Sequence, residues 1–240
     1  MLWWILSTSL AFPAEGACER IGLTEVVEVE SPSVLVLGVR HGTQPDLLRA
    51  TKIVEALEER GPVTLAVDAV HHERSQVFEQ YRNGQLPPSA LSDALRWVQE
   101  FGFPYGPYEG LLSLPTRTVV GVGVEPEEEL GSDVPVQLPL GYMDILRDAM
   151  GGHAMPVAHQ DRFLTRVAGQ DRMIGELALD AWDQQGVLIV LVDRLRVEGG
   201  MGVGWQLERL TTMPVTSALL AWAKSPCYRG DRVWKMTPTG

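Results

Sequence analysis

The feature that most limits how this chain can fold is residues 33–38, Ser-Val-Leu-Val-Leu-Gly, an apolar run without polar alternation. A strand with one wet face alternates in polarity. A strand that stays apolar is covered on both faces, as parallel strands under helices are. Residues 187–192, Val-Leu-Ile-Val-Leu-Val, repeat the pattern. Further strands are expected over 63–67, ending at Asp68, over 118–124, and over 215–222 as the last one. Residues 24–30 alternate Val with polar residues and predict an edge strand. Between these runs the period changes. Residues 44–60 carry Leu47, Ala50, Val54 and Leu57 at helical spacing, with Thr43 as N-cap, Asp46 three residues on and Gly61 at the far end. Helices are also expected over 73–83, 89–100 and 143–184, the last interrupted at Gly151 and Gly152. This alternation predicts an α/β fold, a mainly parallel central sheet with helices on both faces, in a single domain.

Composition narrows the partners. The chain has 240 residues, enough to bury roughly three quarters of its unfolded surface without staples. Its net charge is −11 and no run of Lys and Arg offsets it, so a nucleic-acid backbone is excluded as a natural partner.

Residues 1–12 are mostly apolar, too short a run to anchor in a bilayer but suited to a signal-peptide core. Ala14 and Gly16 supply small residues at −3 and −1 of a cleavage site, although no positive side chain precedes the apolar run. Residues 1–16 are therefore read as a signal peptide and 24–240 as the folded domain, with a buried first element as the competing reading. Export to the periplasm or outer membrane follows. Cys18 then has two fates: lipidation, against which Glu15 stands where a lipobox takes an aliphatic residue, or a disulfide with Cys227. Neither cysteine lies in a C-x-x-C spacing, and two alone build no zinc site.

In parallel sheets, ligands sit beyond the carboxyl ends of the strands. His41, Asp68, Glu125 and Asp193 fall at such ends. His41 lies between Gly38 and Gly42, which let the backbone turn and leave the imidazole accessible; a loop histidine satisfied by hydrogen bonds is the plainer alternative. His71-His72-Glu73 resembles the start of a zinc H-E-x-x-H helix, but Gln76 stands where the second histidine belongs. Those two histidines remain open between a metal or haem contact and a solvated helix start. The glycines at 199, 200, 202 and 204 lack the G-x-G-x-x-G spacing and a following phosphate-binding Lys, and no G-x-S-x-G elbow exists. His153 and His159 are read as surface residues. Tyr105 and Tyr108 sit in a Pro- and Gly-containing loop; phenolates ligate ferric haem in some proteins, and aromatic packing of the loop is the alternative.

The order of these features resembles the ChaN family of bacterial haem-binding envelope proteins, related to the Tiki and TraB superfamily. Members show a strand ending in L-G-E-x-H, and here Leu37-Gly38-Val39-Arg40-His41 keeps the glycine and histidine but has Val39 for the glutamate. Asp68 stands where the family has a second glutamate. Gln76, Tyr81, Gly84, Trp97, the loop ending Tyr108-Glu109-Gly110-Leu111-Leu112, and Gln170-Asp171-Arg172-Met173 also fit the family's order. The family's G-x-x-H after the last core strand is replaced by Asp193-Arg194-Leu195-Arg196. The resemblance covers about residues 24–222.

It implies the α/β fold and haem as cofactor or cargo. The two replacements bear on chemistry: valine neither binds a metal nor moves a proton, and arginine has no lone pair to offer. A hydrolytic or metal-dependent site of the superfamily type is therefore expected to be lost. Under the resemblance, haem or a similar small anionic apolar ligand would be held by His41 with Tyr108 or Tyr105, with Asp68, Arg194 and Arg196 at the mouth. The arginines would meet the propionates or plug the opening by salt bridges. Two competing readings stay open: an interaction module with an envelope protein partner, and a hydrolase using His41 and Asp68. A homodimer is also an open expectation.

Overall fold

The computed structural model describes residues 18–114, 117–125, 139–149, 156–222 and 232–236. Seven parallel strands form one sheet: β1 (Glu19–Arg20), β2 (Ser33–Val39), β3 (Val63–His71), β4 (Thr118–Gly123), β5 (Val187–Asp193), β6 (Val215–Trp222) and β7 (Arg232–Met236). Their spatial order is β1-β7-β6-β2-β5-β3-β4. The two continuous apolar runs are thus neighbours in the middle of the sheet, where both faces are covered.

Side chains alternate between the two faces up to the β3 irregularity, where Ala69 and Val70 both enter the first core. Leu35, Leu37, Val39, Leu65, Val67, Ile189 and Leu191 point into one core, and Val34, Val36, Ala66, Leu188, Val190 and Val192 into the other. The first core is roofed by helices α1 (Leu23–Val27), α2 (Gln44–Glu58), α3 (Ser75–Arg82), α4 (Leu91–Ala94), α5 (Trp97–Glu100) and α6 (Glu109–Leu112). A small third core joins Tyr142, Ile145 and Leu146 of α7 (Tyr142–Ala149) to Ala168 of α8 (Val157–Asp180). The second core is roofed by α8 and by α9 (Val203–Leu210). One sheet under helices on both sides is the single-domain α/β fold expected from the strand patterns.

Several local expectations give way to tertiary constraints. Residues 24–30 add no strand; Val26 enters the first core from a helix. Leu23–Val27 is instead a short helix whose Glu25 carboxylate accepts from Gly22 N at 2.9 Å, with Val26 fully buried. Thr43 occupies the N-cap of α2 without a side-chain capping bond. Asp46 turns inward to Arg40 and Arg49 instead of closing a capping box. The helix expected over 73–83 begins as a 3₁₀ turn at His72–Arg74, and that over 89–100 breaks at Arg96, whose φ is 54°. The stretch expected over 143–184 divides into α7 and α8; Gly151, Gly152 and His153 lie outside the described residues. β6 is followed by β7, so it is not the last strand.

Arg117 ties the first layer together. Its fully buried side chain forms a two-pronged ion pair with Glu58 of α2 at 2.6 and 2.8 Å and donates to the carbonyls of Gly110 and Leu111. At the other end of β4, the β3–β4 register shifts between Val67 and His71. Gly123 permits this irregularity, since a Cβ there would meet the Asp68 carbonyl at 2.3 Å and the Val70 carbonyl at 3.0 Å. Gly123→Ala is therefore expected to destabilise the fold by about 2 kcal/mol, as overpacking against backbone does. Urea unfolding checks this; an unchanged midpoint would remove the close approach as a constraint.

Candidate functional site

The carboxyl ends of β2, β3 and β5 bring together residues far apart in sequence. Val39 pairs in register with Asp193, and Val67 with Leu191, so β2 and β5 end at one level beside Asp68, where β3 leaves β5 and runs on along β4 to His71, beyond the end expected at Asp68. Gly38 lets the next turn approach: a Cβ there would lie 2.6 Å from Leu219 and 3.3 Å from Arg194 Cα. That turn, the 3₁₀ segment Arg194–Arg196, is capped by the Asp193 carboxylate, which accepts from Leu195 N at 2.9 Å.

His41 is the centre of the site. Its Nε2 lies 2.9 Å from Asp68 Oδ1, and its Nδ1 is hydrogen-bonded to Tyr108 Oη at 2.5 Å. The Phe103 ring lies parallel to the imidazole, with centroids 5.7 Å apart and planes at 7°. The imidazole side chain is 17% exposed, leaving one edge open at the rim. Asp68 is also held through Oδ2, which accepts from Asp193 N at 3.0 Å. Arg196 Nε stands 3.8 Å from the same oxygen, and Arg196 Nη1 is 2.5 Å from Asp171 Oδ1. The second Asp171 oxygen accepts from the Tyr142 hydroxyl. Charges therefore alternate along the chain His41, Asp68, Arg196, Asp171.

The electrostatics follow from burial and neighbours. Burial disfavours a charge on His41, but the adjacent Asp68 carboxylate outweighs it, and the imidazole pKa is raised above 6.5. Burial pushes Asp68 upward, yet His41 and then Arg196 hold its pKa below 3.8. Arg196 loses solvation as well, and Asp171 and Asp68 more than restore its charge. Burial first, and then the Asp68 charge, raise the Tyr108 hydroxyl far above the ordinary tyrosine range, so it is a neutral partner of His41.

The six site residues expected from sequence separate into two groups. His41, Asp68, Tyr108 and Arg196 are joined in one network. Tyr108 is fully buried against Trp97 and turns its hydroxyl to His41 rather than to the rim. Tyr105 lies apart, its hydroxyl 2.9 Å from Ser113 Oγ. Arg194 is buried and ion-paired to Glu198 within its own turn. Glu125 lines a cleft of about 80 Å³ with Asp68, His71, Glu100 and Phe101. His71 and His72 stand with ring centroids 4.6 Å apart, and His159 is exposed on α8. Among the described residues, no group of three or more His, Cys, Asp and Glu side chains is placed to hold a metal ion.

Sequence reasoning missed Asp171, Tyr142 and Phe103 as site components. Asp171 was legible in part: it shares the buried face of α8 with Ala168, Ile174 and Ala178 at helical spacing, where a carboxylate requires a partner.

The folded His41 pKa is raised, so its contribution to stability is complete below pH 6.5 and is lost as pH rises through the folded value. Asp68 has the opposite sign: its contribution is complete above pH 3.8 and is lost as pH falls through its lowered value. Stability from this pair should therefore peak between about pH 4 and 6.5. Asp68→Asn removes the charge that opposes burial, and the His41 ring signals in an NMR titration should then shift to a midpoint below 6.5. An unmoved midpoint would mean that another group charges His41.

Residues 26–207 match the family model described as haem-binding uptake, Tiki superfamily, ChaN. No curated protein matches the chain. Among solved structures, the ChaN of Campylobacter jejuni described for cofacial heme binding is similar, with a TM-score of 0.64 and 14% identity over 87% of this chain and 91% of that one. The type III effector HopBA1 is similar at a TM-score of 0.48 and 14% identity, over 89% of this chain and 90% of that one. At such identities structural likeness speaks for the fold alone. The family match spans most of the sequence, from before the first buried strand into the last helix of the second layer, and the chain belongs to the ChaN family of the Tiki superfamily, haem-binding uptake proteins.

Proposed function

We propose that this chain binds haem at the carboxyl rim of its sheet, with His41 as the side chain nearest the iron. The observation that carries the reading is His41 itself, a partly open imidazole at the ends of three central strands, braced by Phe103, Tyr108 and Asp68. Family membership supports haem as the ligand class. The residues fit in a particular way. The adjoining cleft of about 80 Å³ is far below the ~300 Å³ at which pockets enclose a drug-sized ligand, so a porphyrin would lie across the rim. The Campylobacter jejuni relative, described for cofacial heme binding, offers a precedent for haem binding on this fold. Bound there, the iron would supply redox and ligand-binding chemistry of its own. Tyr108, Asp68 and Arg196 would act as positioning residues that hold the ring.

Superfamily hydrolysis is read as lost. Val39, at the family's glutamate position, is fully buried in the core, and Arg196, at the histidine position, is committed to Asp68 and Asp171. His41 with Asp68 has the pairing of a base and its orienting carboxylate; the other ring nitrogen, Nδ1, meets the Tyr108 hydroxyl, which would have to turn aside for Nδ1 to reach either a substrate proton or an iron.

We also read the chain as exported. Cys18 is disulfide-bonded, which suits an oxidising compartment, and a sulfur so engaged carries no lipid. Cys227 lies outside the described residues.

Adding hemin should give a saturable Soret shift at micromolar concentration, lost or altered in His41→Ala. No saturable shift in the unaltered protein would overturn the reading; an unchanged spectrum in His41→Ala would remove His41 as ligand. A metal ligand must shed its proton, and the His41 pKa is raised. The His41-dependent affinity should therefore rise with pH, up to about tenfold per unit, until the ring's folded pKa is passed.

A further inference from the structure

A second concentration of charge lies beside His41 on the same rim, on the β6 and β7 side. Asp46, fully buried in the first turn of α2, faces two guanidinium groups. Arg49 holds it well: Nη2 is 3.0 Å from Asp46 Oδ1, and the same guanidinium donates to the carbonyls of Ala221 and Trp234 at the ends of β6 and β7. Arg40 is held poorly. Its backbone N donates to Asp46 Oδ2 at 3.4 Å, while its Nε reaches only 3.6 Å from that oxygen, beyond hydrogen-bond range. Nε and Nη2 are shielded from solvent without an acceptor, yet the side chain as a whole is 42% exposed. Two positive charges thus share one carboxylate, and donors that water cannot satisfy stand at an accessible edge. The positive end of the α2 dipole adds to the same potential. A shielded guanidinium nitrogen without an acceptor is costly, and a mobile anionic oxygen is the group that relieves it.

We propose that Arg40 is an anion anchor at the rim, taking a carboxylate or phosphate oxygen of a ligand whose body lies over His41. This rests on the haem reading for the ligand's identity, in which case the anchored group is a propionate; the anion site itself rests on Arg40, Asp46 and Arg49. It moves the role expected for Arg194 and Arg196 to a residue that sequence patterns did not single out. Arg194 and Arg196 already have carboxylates within the fold, and Arg40 has only a share of one.

Arg40→Gln tests this without endangering the fold, because Asp46 keeps Arg49. Inorganic pyrophosphate, as a probe independent of haem, should raise the melting temperature of the unaltered protein saturably and fail to do so in Arg40→Gln. Arg40→Lys, a point charge in place of the fork, should respond partially. Hemin should bind Arg40→Gln about tenfold or more weakly, with its Soret maximum unmoved, since iron ligation is untouched. Pyrophosphate responses equal in both proteins, or absent from both, would overturn the anchor. Hemin that fails to bind the unaltered protein, beside an Arg40-dependent pyrophosphate response, would overturn the haem reading and leave the anion site standing. Hemin bound equally by both proteins would overturn a haem propionate as the anchored group.

Discussion

The carboxyl rim of this protein depends on Asp68, a carboxylate on β3 that is largely withdrawn from water. A charge in such a place persists only if its neighbours replace the lost hydration. His41, Arg196 and the Asp193 amide do so from three different elements. Each supporting group then needs its own support. Arg196 is paired with Asp171, Asp171 accepts a hydrogen bond from the Tyr142 hydroxyl, and the far side of His41 is hydrogen-bonded to Tyr108. Networks of this kind add little net stability against an apolar equivalent, but removing one member leaves a buried charge exposed to its full desolvation cost. The strand ends, the 3₁₀ turn at Arg194–Arg196 and helices α7 and α8 are locked to one another through these few atoms.

Under the proposed reading, the same network stands where a metal or hydrolytic site of the superfamily type would be. Where the family pattern has a glutamate and a second histidine, Val39 closes the core and Arg196 supplies a permanent positive charge. The result is a charge-balanced cluster with one imidazole edge open, a geometry for holding a ligand. Beside it the Arg40–Asp46–Arg49 group is unbalanced in the opposite sense, carrying one positive charge more than its carboxylate neutralises. An apolar, planar ligand with an acidic margin matches that pair of neighbours: a nitrogen donor braced by aromatic rings, and an anion acceptor close by.

Much of the fold was legible because burial on two faces leaves a mark that local sequence carries. The runs at 33–38 and 187–192 could be little else than central strands, and they lie side by side. Edge elements were harder. Residues 24–30 have the alternation of a strand, but Leu23–Val27 packs as a helix on α2 and the first core, a tertiary contact that no local window contains. β7 was missed because it is short and follows an apparently terminal strand.

His41 and Asp68 could be placed at strand ends from sequence, since topology alone puts such positions on one rim. Sequence by itself thus determined the parallel sheet, its two covered faces, the strand-end positions of His41 and Asp68 and the absence of the family's glutamate and second histidine. Only the tertiary structure decided who pairs with whom. Tyr108 lies 67 residues from His41, and Asp68 lies 125 from the Asp193 amide that it accepts from. Those partners met because β2 and β5 end beside Asp68 of β3 and a glycine lets a turn close over them. Hydrogen-bond geometry acts over 3 Å, and sequence spacing carries no record of it once the chain has crossed from one strand to another.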